Sequence, residues 1–392
     1  MMAIEGKTET NTGRIRLGMV GGGRDAFIGG VHRIASRIDD KFELVSGCFS
    51  STAEKSHASG ADLGLDPARV YDDFTAMAKR EARLKDGIEA VAIVTPNHMH
   101  YPVAREFLKR GIHVICDKPL TATLPEAKKM VQAAEKSDAL FVLTHNYTGY
   151  PMIRQARAMV EAGDLGPLRV VQAEYPQDWL AEPIEQTGMK QAAWRTDPAQ
   201  SGAGGCVGDI GTHAFNLASF VSGLEVDELC AELTAFVPGR RLDDNAQVML
   251  RFKGGARGML WASQVASGNE NALKLRIYGE KAGLEWHQEE PNTLWFTPLG
   301  EPTRKITRAG AGAGEAAGRV SRVPPGHPEG YLEGFATIYS EAALAIRAAQ
   351  AGEAAPEGVT YPTIQDGLLG VGFVDACVRS SGRNGAWVKL NI

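Results

Sequence analysis

The sequence predicts an α/β protein: a doubly wound parallel sheet, followed by a second α/β domain with a large, open and mostly antiparallel sheet. In residues 1–147, short apolar strand segments alternate with helical segments, which is typical of a parallel sheet covered on both faces. In residues 148–392, longer strand-like segments with glycine turns dominate, which favours antiparallel pairing. The length of 392 residues also suits two domains.

The elements of the first domain follow from apolar runs and the polar segments between them. Residues 1–12 are polar and are predicted to form a mobile tail. The predicted strands span residues 14–20, 42–49, 90–94, 112–116 and 139–144. The predicted helices span residues 29–38, 53–63, 73–83, 100–110 and 124–136. Helices between strands return the chain to the same end of the sheet, as parallel pairing requires.

The second domain changes the pattern from alternating helices to consecutive strands. It begins with a helix over residues 152–162. Its predicted strands span residues 168–175, 228–237, 246–252, 256–264, 273–278 and, near the end, 386–390. Residues 253–255 and 279–283 have the composition of hairpin turns, and the glycine- and alanine-rich residues 309–317 are predicted to form a mobile loop. Two further helices are predicted over residues 328–351 and 363–380.

The composition excludes several classes of function. The chain is 44% hydrophobic and 23% charged with a net charge of −5, so it lacks the basic surface of a nucleic-acid or membrane-surface binder. It has no apolar run near the roughly 18 residues of a spanning helix, and no signal-peptide core near its start. Its five cysteines are scattered without metal-ligand spacing, which indicates reduced thiols and no metal site. We therefore expect a cytoplasmic protein with neither nucleic acid nor a membrane as its partner.

A glycine loop between the first strand and the first helix predicts a dinucleotide site. Small residues there let backbone N–H groups approach a pyrophosphate, and the helix N-terminus adds a favourable dipole. The loop can be interpreted as Gly21-x-Gly23-x-x-Ala26, or with Gly29 as the third glycine after three extra residues. The alternative interpretation is a glycine turn that binds no ligand. The strands that follow the loop favour the dinucleotide site over this alternative. The candidate residues are Gly21, Gly22, Gly23, Ala26, Phe27 and Ile28.

The end of the second strand leaves the choice between NAD and NADP open. An NAD site usually has Asp or Glu at this position, to bind the ribose hydroxyls. Here the chain reads Cys48-Phe49-Ser50-Ser51-Thr52, without an acid. Ser50, Ser51 and the nearby Lys55 leave room for a 2′-phosphate, although neutral serines tolerate NAD as well.

A lysine at the mouth of a strand is the most informative signal of chemistry. Lys118 lies in the segment Cys116-Asp117-Lys118-Pro119-Leu120, at the end of the strand predicted over residues 112–116. A lysine seldom enters the interior without a partner, and a proline cannot serve a central strand ladder. Packing therefore explains this segment poorly.

A second signal lies at the start of the helical run over residues 214–221. Asp209 and His213 have i, i+4 spacing, which places them on one face and within reach of each other. Asp209 could also be a plain helix cap, and His213 a satisfied core histidine. The needs of alcohol oxidation favour the catalytic interpretation of these residues. His213 would accept the hydroxyl proton, Asp209 would fix the tautomer of His213, and Lys118 would stabilise developing negative charge on the oxygen. The three would have to meet between the two domains.

Five motifs together resemble the Gfo/Idh/MocA oxidoreductases, which include glucose–fructose oxidoreductase, inositol dehydrogenases and sugar dehydrogenases. They are Gly21-x-Gly23, Ile28-Gly29-x-x-His32-x-x-Ala35, Thr95-Pro96-Asn97-x-x-His100, Asp117-Lys118-Pro119-Leu120 and Gly208-Asp209-x-x-x-His213. The resemblance runs from about Ile15 to the end of the sequence. It implies an N-terminal Rossmann domain for NAD or NADP, and a C-terminal domain whose open sheet forms the contacts of a homodimer or homotetramer.

The resemblance also implies roles for individual residues. Lys118 would be the catalytic lysine and His213 the acid/base, with Asp209 as its partner. Asp117 stands where the family usually has glutamate, and the spacer within the glycine loop is longer than usual. Further cofactor contacts would come from Thr95, Pro96, Asn97, His100, Asp117 and Lys118.

Substrate contacts are expected from aromatic and polar side chains that follow predicted strands or precede helices. Aromatic faces beside hydrogen-bonding groups suit a sugar or a cyclitol, although each aromatic side chain could equally serve core packing. An arginine could also recognise an acidic substituent of the substrate. The candidates are Tyr147, Tyr150, Gln177, Trp179, Trp194, Arg195, Asp209, His213 and His327.

The sequence thus predicts an NAD(P)-dependent dehydrogenase that oxidises a secondary hydroxyl of a pyranose sugar, a sugar derivative or an inositol. Two alternatives stay open. An NAD-dependent glycoside hydrolase, which acts through transient oxidation and elimination, would use the same Lys118 and His213. A non-catalytic sugar or redox sensor would keep the fold, but such proteins tend to lose the catalytic residues that are present here.

Overall fold

The first part of the chain forms a five-stranded parallel sheet with the order β2-β1-β3-β4-β5. The computed structural model describes residues 13–392, so the predicted tail over residues 1–12 lies outside the described residues. All five predicted strands are confirmed, with shifts of a few residues at their ends. They are β1 (Ile15–Gly21), β2 (Phe42–Cys48), β3 (Ala90–Val94), β4 (His113–Cys116) and β5 (Phe141–Leu143).

Helices cover both faces of this sheet. The central strand β3 is buried along its whole length, which explains its unbroken apolar sequence. The strand order reverses between β1 and β3, and a crevice for ligands forms at such a point in doubly wound folds. The helices of this part are α1 (Phe27–Ile38), α2 (Ala53–Asp62), α3 (Phe74–Glu81), α4 (His100–Leu108) and α5 (Leu124–Glu135).

The second part forms a nine-stranded sheet with the order β13-β12-β11-β10-β6-β9-β8-β7-β14. Only the β6–β9 pair is parallel, so the predicted, mostly antiparallel sheet is confirmed. The strands are β6 (Leu168–Pro176), β7 (Val226–Thr234), β8 (Asn245–Phe252), β9 (Arg257–Ser263), β10 (Lys274–Gly279), β11 (Ala282–His287), β12 (Thr293–Pro298), β13 (Arg304–Thr307) and β14 (Val388–Lys389).

The three strands β11, β12 and β13 are absent from the sequence-based prediction. β11 alternates buried and half-buried residues, but a glutamate and a histidine interrupt its apolar character. The predicted hairpin turns are confirmed: β8 pairs with β9 across residues 253–255, and β10 pairs with β11 next to residues 280–281. Part of the loop predicted over residues 309–317 is helical instead, because a short helix begins at Glu315.

Seven helices complete the second part. α11 packs Phe335, Ile338 and Tyr339 against α1 and one face of the parallel sheet, while α12 contacts the cores of both parts. A division of the chain after residue 147 therefore separates α11 from the core on which it packs. These helices are α6 (Pro151–Glu161), α7 (Lys190–Arg195), α8 (Pro198–Ser201), α9 (Thr212–Ser222), α10 (Glu315–Gly318), α11 (Tyr331–Ala351) and α12 (Ile364–Ser381).

None of the helices in residues 13–392 combines the length and the apolar character that a transmembrane segment needs.

Candidate active site

A cleft of about 1180 Å³ runs from the glycine loop to the second sheet. Most of the side chains selected from the sequence line it, although they come from distant parts of the chain. Three do not line it: His100, Tyr150 and His327. Those that do are Gly21, Gly22, Gly23, Ala26, Phe27, Ile28, Ser50, Ser51, Lys55, Thr95, Pro96, Asn97, Asp117, Lys118, Tyr147, Gln177, Trp179, Trp194, Arg195, Asp209 and His213.

The glycine loop has the shape that a dinucleotide pyrophosphate requires. Gly21 and Gly22 have φ angles of +80° and +68°, a region that favours glycine. A Cβ atom on Gly23 would lie 2.7 Å from the carbonyl oxygen of Phe49, so a larger residue would not fit there. The backbone is thus left open to the cleft.

The start of α1 resolves which spacing the loop follows. A Cβ atom on Gly29 would lie 2.2 Å from the carbonyl oxygen of Gly22, so Gly29, rather than Ala26, lets the helix approach the loop. Ala26 precedes the helix and has no side chain that could cap its first N–H groups. Those donors can therefore bind a phosphate, and the loop fits a dinucleotide.

Two cations lie near the end of β2, where the adenosine ribose of a dinucleotide usually binds. Lys55 forms a 2.8 Å ion pair with Asp25. Arg24 donates two hydrogen bonds to Asp62, at 2.5 and 2.7 Å. Both cations that could meet a 2′-phosphate beside Ser50 therefore already have carboxylate partners.

Two further carboxylates, Asp72 and Asp73, line the same end of the cleft. The Tyr71 amide donates to the carbonyl of Gly47 at 2.9 Å, which brings this loop alongside β2. Burial, together with the charges of Asp73 and Asp72, raises the pKa of Cys48 to about 12. Negative charge at the end of β2 thus comes from neighbouring loops rather than from the strand.

His100 lies behind the cleft and joins two loops that line it. Its Nδ1 is 2.8 Å from the carbonyl oxygen of Pro119, and its Nε2 is 2.9 Å from that of Thr95. Burial lowers the pKa of His100, against the opposing effect of Asp117 and the two carbonyls. His100 therefore supports the positions of these loops and does not face the cleft.

Asp117 holds the backbone of the neighbouring lysine. Its Oδ1 accepts hydrogen bonds from the Lys118 amide at 2.9 Å and from the Thr144 hydroxyl at 3.0 Å, and it lies 3.8 Å from His32 Nε2. Burial alone would raise the pKa of Asp117, but the nearby His32 ring and the charge of Lys118 hold it well below its usual range. The peptide bond between Lys118 and Pro119 is cis.

Lys118 and Asp209 form an ion pair across the cleft. Lys118 Nζ donates to Asp209 Oδ1 at 2.9 Å and to the Asp209 carbonyl oxygen at 2.8 Å. Asp209 Oδ2 accepts from Gln264 at 2.9 Å and lies 3.3 Å from Arg195 Nε. Burial would raise the pKa of Asp209, but the charges of Lys118 and Arg195 outweigh it and lower this pKa far below normal.

These contacts differ from the predicted pairing of Asp209 with His213. Asp209 lies in a π-helical turn, Val207–Gly211, that precedes α9, and His213 lies in the first turn of α9. Both carboxylate oxygens are engaged by other side chains, so Asp209 acts on His213 through its charge rather than through a hydrogen bond.

Asp243 holds the π-helical turn in place. Its Oδ1 accepts a hydrogen bond from the Gly205 amide at 2.6 Å, and its Oδ2 accepts one from the Val207 amide at 2.8 Å. Its own carbonyl accepts from the Cys206 amide at 2.8 Å. The turn that carries Asp209 is therefore fixed by one buried carboxylate, which the sequence analysis did not single out.

His213 lies at the centre of a buried aromatic group. Its ring is 4.9 Å from that of Tyr147 and 5.3 Å from that of His145, both in edge contact. Its Nδ1 is buried and has no hydrogen-bond partner within residues 13–392. Burial, and then the charge of Lys118, lower the pKa of His213 well below its usual value, so its ring is neutral near pH 7 and can accept a proton.

His145 is a neighbour of the site that the sequence analysis missed. It lies two residues after β5 and has no motif of its own, so only the fold shows its place. Burial, and then the charge of Lys118, lower the pKa of His145 to about 3. Its neutral ring adds no positive charge beside His213.

Arg195 lies between the ion pair and two indole rings. Its guanidinium carbon is 4.3 Å from the ring centroid of Trp194 and 5.9 Å from that of Trp179. Stacking and the contact with Asp209 hold it at the wall of the cleft.

Two candidates for substrate contact lie elsewhere. Tyr150 is buried behind the cleft, with its ring 5.5 Å from that of Trp286 and its hydroxyl bonded to Gln288. His327 is exposed on the loop before α11, where its carbonyl accepts a hydrogen bond from Arg308.

Three further polar residues, which were not predicted from the sequence, line the substrate end of the cleft: Tyr175, Asn271 and Gln288. Asn271 lies in a turn that looks like an ordinary loop in the sequence, and Gln288 follows β11, which was not predicted. Tyr175 carried a usable signal, because it continues the inward alternation of Val171 and Ala173 along β6.

The fold and this site define a class of protein. A glycine loop fit for a pyrophosphate at the switch point of a parallel sheet, in one cleft with a neutral histidine and a partly buried lysine, is typical of a dinucleotide-dependent oxidoreductase. Within residues 13–392 there is no group of three or more His, Cys, Asp or Glu side chains arranged to hold a metal ion.

Comparison with known proteins narrows this class to a family. The sequence model described as "Oxidoreductase family, NAD-binding Rossmann fold", GFO/IDH/MocA, matches residues 15–145, and the GFO/IDH/MocA C-terminal domain matches residues 153–285. An uncharacterized oxidoreductase, YfiI, of Bacillus subtilis is 35% identical over 380 residues, which cover 96% of this chain and 97% of that protein.

Solved structures agree with the family models. An oxidoreductase from Sinorhizobium meliloti has 64% identity and a TM-score of 0.87, over 96% of this chain and 99% of that chain. An inositol dehydrogenase homolog from Azotobacter vinelandii, complexed with NADH and myo-inositol, has 36% identity and a TM-score of 0.91, over 96% of this chain and 98% of that chain. The chain belongs to the GFO/IDH/MocA oxidoreductase family, and its first domain is an NAD-binding Rossmann domain.

Proposed function

We propose that this protein is an NAD(P)-dependent dehydrogenase that oxidises a secondary hydroxyl of an inositol, a pyranose sugar or a sugar derivative. One observation carries the proposal: a neutral, buried His213 lies in the same cleft as the charged pair of Lys118 and Asp209 and the glycine loop. A similar structure that holds NADH and myo-inositol supports the same substrate class.

The site residues account for the proton and the charge of this reaction. A bound nicotinamide supplies the acceptor for the hydride that leaves the carbinol carbon. His213 accepts the hydroxyl proton, so the alcohol loses one hydride and one proton and becomes a ketone. Lys118 stabilises the negative charge that develops on the oxygen, and Asp209 holds the Lys118 ammonium group in place.

Turnover with a panel of polyols tests the proposal. The purified protein is mixed with NAD+ or NADP+ and with myo-inositol, other inositols and pyranoses, and reduced nicotinamide is followed by absorbance. We expect reduction with at least one polyol, and its loss in His213→Ala. Bound cofactor without turnover of any polyol would contradict the proposal, and release of an aglycone from a glycoside without net reduction would favour the hydrolase instead.

We further infer that the chain forms a homo-oligomer through the open face of the nine-stranded sheet. Met249 of β8 and Met259 of β9 are neighbours in register and are 51% and 48% exposed. Two large exposed apolar side chains side by side on an uncovered sheet suit a contact with a second copy of the chain. Light scattering of the wild type should show a dimer or a tetramer, and Met249→Asp with Met259→Asp should shift it towards the monomer. A monomeric wild type would contradict the inference.

A further inference from the structure

Five side chains at the substrate end of the cleft form one continuous chain of hydrogen bonds. Trp179 Nε1 donates to Gln177 Oε1 at 3.1 Å, and Gln177 Nε2 donates to Asn271 Oδ1 at 2.7 Å. The Tyr175 hydroxyl lies 2.8 Å from the same Oδ1, and 2.5 Å from the Tyr147 hydroxyl. All five residues line the cleft.

The indole of Trp179 fixes the direction of the first part of this chain. An indole N–H can only donate, so Gln177 must turn its amide oxygen to Trp179 and its amide nitrogen to Asn271. Asn271 must therefore present its oxygen at this contact. No rotation of either amide by 180° satisfies the same contacts, and the assignment of both side chains is determined by chemistry.

The direction of the tyrosine pair follows from Asn271. A carbonyl oxygen can only accept, so Tyr175 must donate its single hydroxyl hydrogen to Asn271 Oδ1. Tyr175 then has no hydrogen left for its neighbour, and Tyr147 must donate the hydrogen of the 2.5 Å bond between the two hydroxyls. Tyr147 can thus act only as an acceptor towards anything that enters the cleft.

The acceptor on Tyr147 lies next to the proposed base. The ring of Tyr147 is in edge contact with that of His213, at 4.9 Å. Within residues 13–392, the hydrogen bond that the Tyr147 oxygen accepts from Asn271 Nδ2 is long, 3.4 Å, and the same amide group makes a shorter bond, 2.8 Å, to Gln288. The Tyr147 oxygen therefore has acceptor capacity that the described residues leave largely unsatisfied, and a donor on a ligand can satisfy it.

We propose that Tyr147 accepts a hydrogen bond from a second substrate hydroxyl, on the carbon next to the one that is oxidised, and that Asn271 is the positioning residue that imposes this role. The proposal rests on the proposed function and sharpens its substrate class. The substrate is a vicinal diol, and an analogue without that hydroxyl leaves a buried acceptor unpaired.

Deoxy analogues test the role of Tyr147. The probes are myo-inositol and its monodeoxy analogues, measured by turnover with the oxidised cofactor and by binding to the complex with NADH, followed by nicotinamide fluorescence. For the wild type we expect one deoxy position to lower both affinity and kcat/KM about tenfold to a hundredfold, as a lost hydrogen bond of about 1–3 kcal/mol predicts. Tyr147→Phe keeps the ring but removes the acceptor. The ratio of kcat/KM for myo-inositol to kcat/KM for that deoxy analogue should then fall to about threefold or less. Tyr361→Phe, which removes a hydroxyl outside the cleft, should leave the ratio unchanged.

Two variants of Asn271 separate positioning from packing. Asn271→Asp keeps an acceptor for Tyr175 and Gln177, so the ratio should stay near that of the wild type. Asn271→Leu has similar bulk but no acceptor, so the Tyr175 hydrogen can turn to Tyr147 and the ratio should collapse. NADH affinity should be the same in both variants, which shows that the fold is intact.

The outcomes distinguish this proposal from the proposed function. The proposal is overturned, and the dehydrogenase stays intact, if the wild type binds and oxidises every deoxy analogue within about threefold of myo-inositol. The same holds if Tyr147→Phe discriminates against the deoxy analogue as strongly as the wild type does. Discrimination in binding without any oxidation contradicts the dehydrogenase alone. If none of the probes binds, the vicinal-diol proposal is overturned for inositols, and the dehydrogenase is judged by the wider panel of inositols and pyranoses.

Discussion

Lys118 Nζ lies 2.9 Å from Asp209 Oδ1 and 2.8 Å from the Asp209 carbonyl oxygen, although the two residues are 91 positions apart in the chain. The pair joins the end of β4 to the π-helical turn before α9, and so connects the nucleotide-binding sheet to the second domain within the cleft. Its two side chains are only 15% and 17% exposed, so the charges interact more strongly than a surface pair does.

Removal of the Lys118 charge should slow the reaction without abolishing cofactor binding. Lys118→Ala removes the group that we propose to stabilise developing negative charge, and we expect kcat to fall about a hundredfold to a thousandfold. NADH affinity, measured by fluorescence, should change little. Lys128→Gln, on the exposed side of α5, is the matched control and should keep wild-type kcat. A Lys118→Ala variant with nearly normal kcat would show that another group meets the oxygen.

The pH profile should follow the neutral form of His213. Burial and the charge of Lys118 lower the pKa of His213 well below its usual value of about 6.5, so the ring stays able to accept a proton when a solvent-exposed histidine is already charged. We expect kcat/KM to remain on its plateau as the pH falls to about 6, and to decline only below that. A decline that begins above about pH 6.5 would contradict this environment for His213.

Stability should fall as the pH falls below about 6.5. The folded-state pKa of His145 is about 3, lowered by burial and the charge of Lys118, whereas the unfolded chain protonates near the ordinary value. The unfolded state then binds more protons, which costs up to about 1.4 kcal/mol per pH unit for this group. Urea unfolding at several pH values should show a smaller slope for His145→Phe than for the wild type. Equal slopes would mean that His145 does not contribute.

Asp243→Asn should damage the site from a distance. An amide can accept through one oxygen only, so either the Gly205 or the Val207 amide loses its acceptor. We expect a loss of about 1–3 kcal/mol in the free energy of unfolding, and a lower kcat because the turn that carries Asp209 relaxes. Asp227→Asn breaks only an exposed 2.7 Å pair with Lys389 and serves as the control. Unchanged kcat in Asp243→Asn would show that the turn holds without this carboxylate.

NADH should bind more tightly than NADPH. A 2′-phosphate would meet two cations that are already paired, and the charges of Asp72 and Asp73, at the end of β2. Asp25→Asn releases Lys55, and we expect NADPH affinity to rise about two- to fivefold with little change for NADH. Asp138→Asn makes the same charge change away from the cleft and should alter neither. Titrations in which the wild type binds NADPH more tightly than NADH would contradict this prediction.

The fold class, the glycine loop and the residues Lys118, Asp209 and His213 could be predicted from the sequence. Local rules carry these signals: apolar runs mark buried strands, glycine marks close backbone approach, and a lysine at a strand end has no packing reason. The structure confirms both sheets, and it brings the three residues to one cleft.

The partners of these residues could not be predicted, because they depend on which distant segments meet. The Asp209 carboxylate makes its hydrogen bonds to Lys118 and Gln264, which are 91 and 55 positions away in the chain, and not to His213. His145 carries no motif, and its ring contacts that of His213 only because the segment after β5 packs against α9.

The sequence by itself determined the two sheets, the nucleotide loop and the types of side chain available for chemistry, because these depend on periodicity and on residue identity along the chain. Only the tertiary structure decided the protonation of His213, the pairing of Lys118 and the direction of the hydrogen bonds from Trp179 to Tyr147. The physical reason is that pKa values and hydrogen-bond directions are set by burial and by neighbours within a few ångströms, and those neighbours are far apart in the sequence.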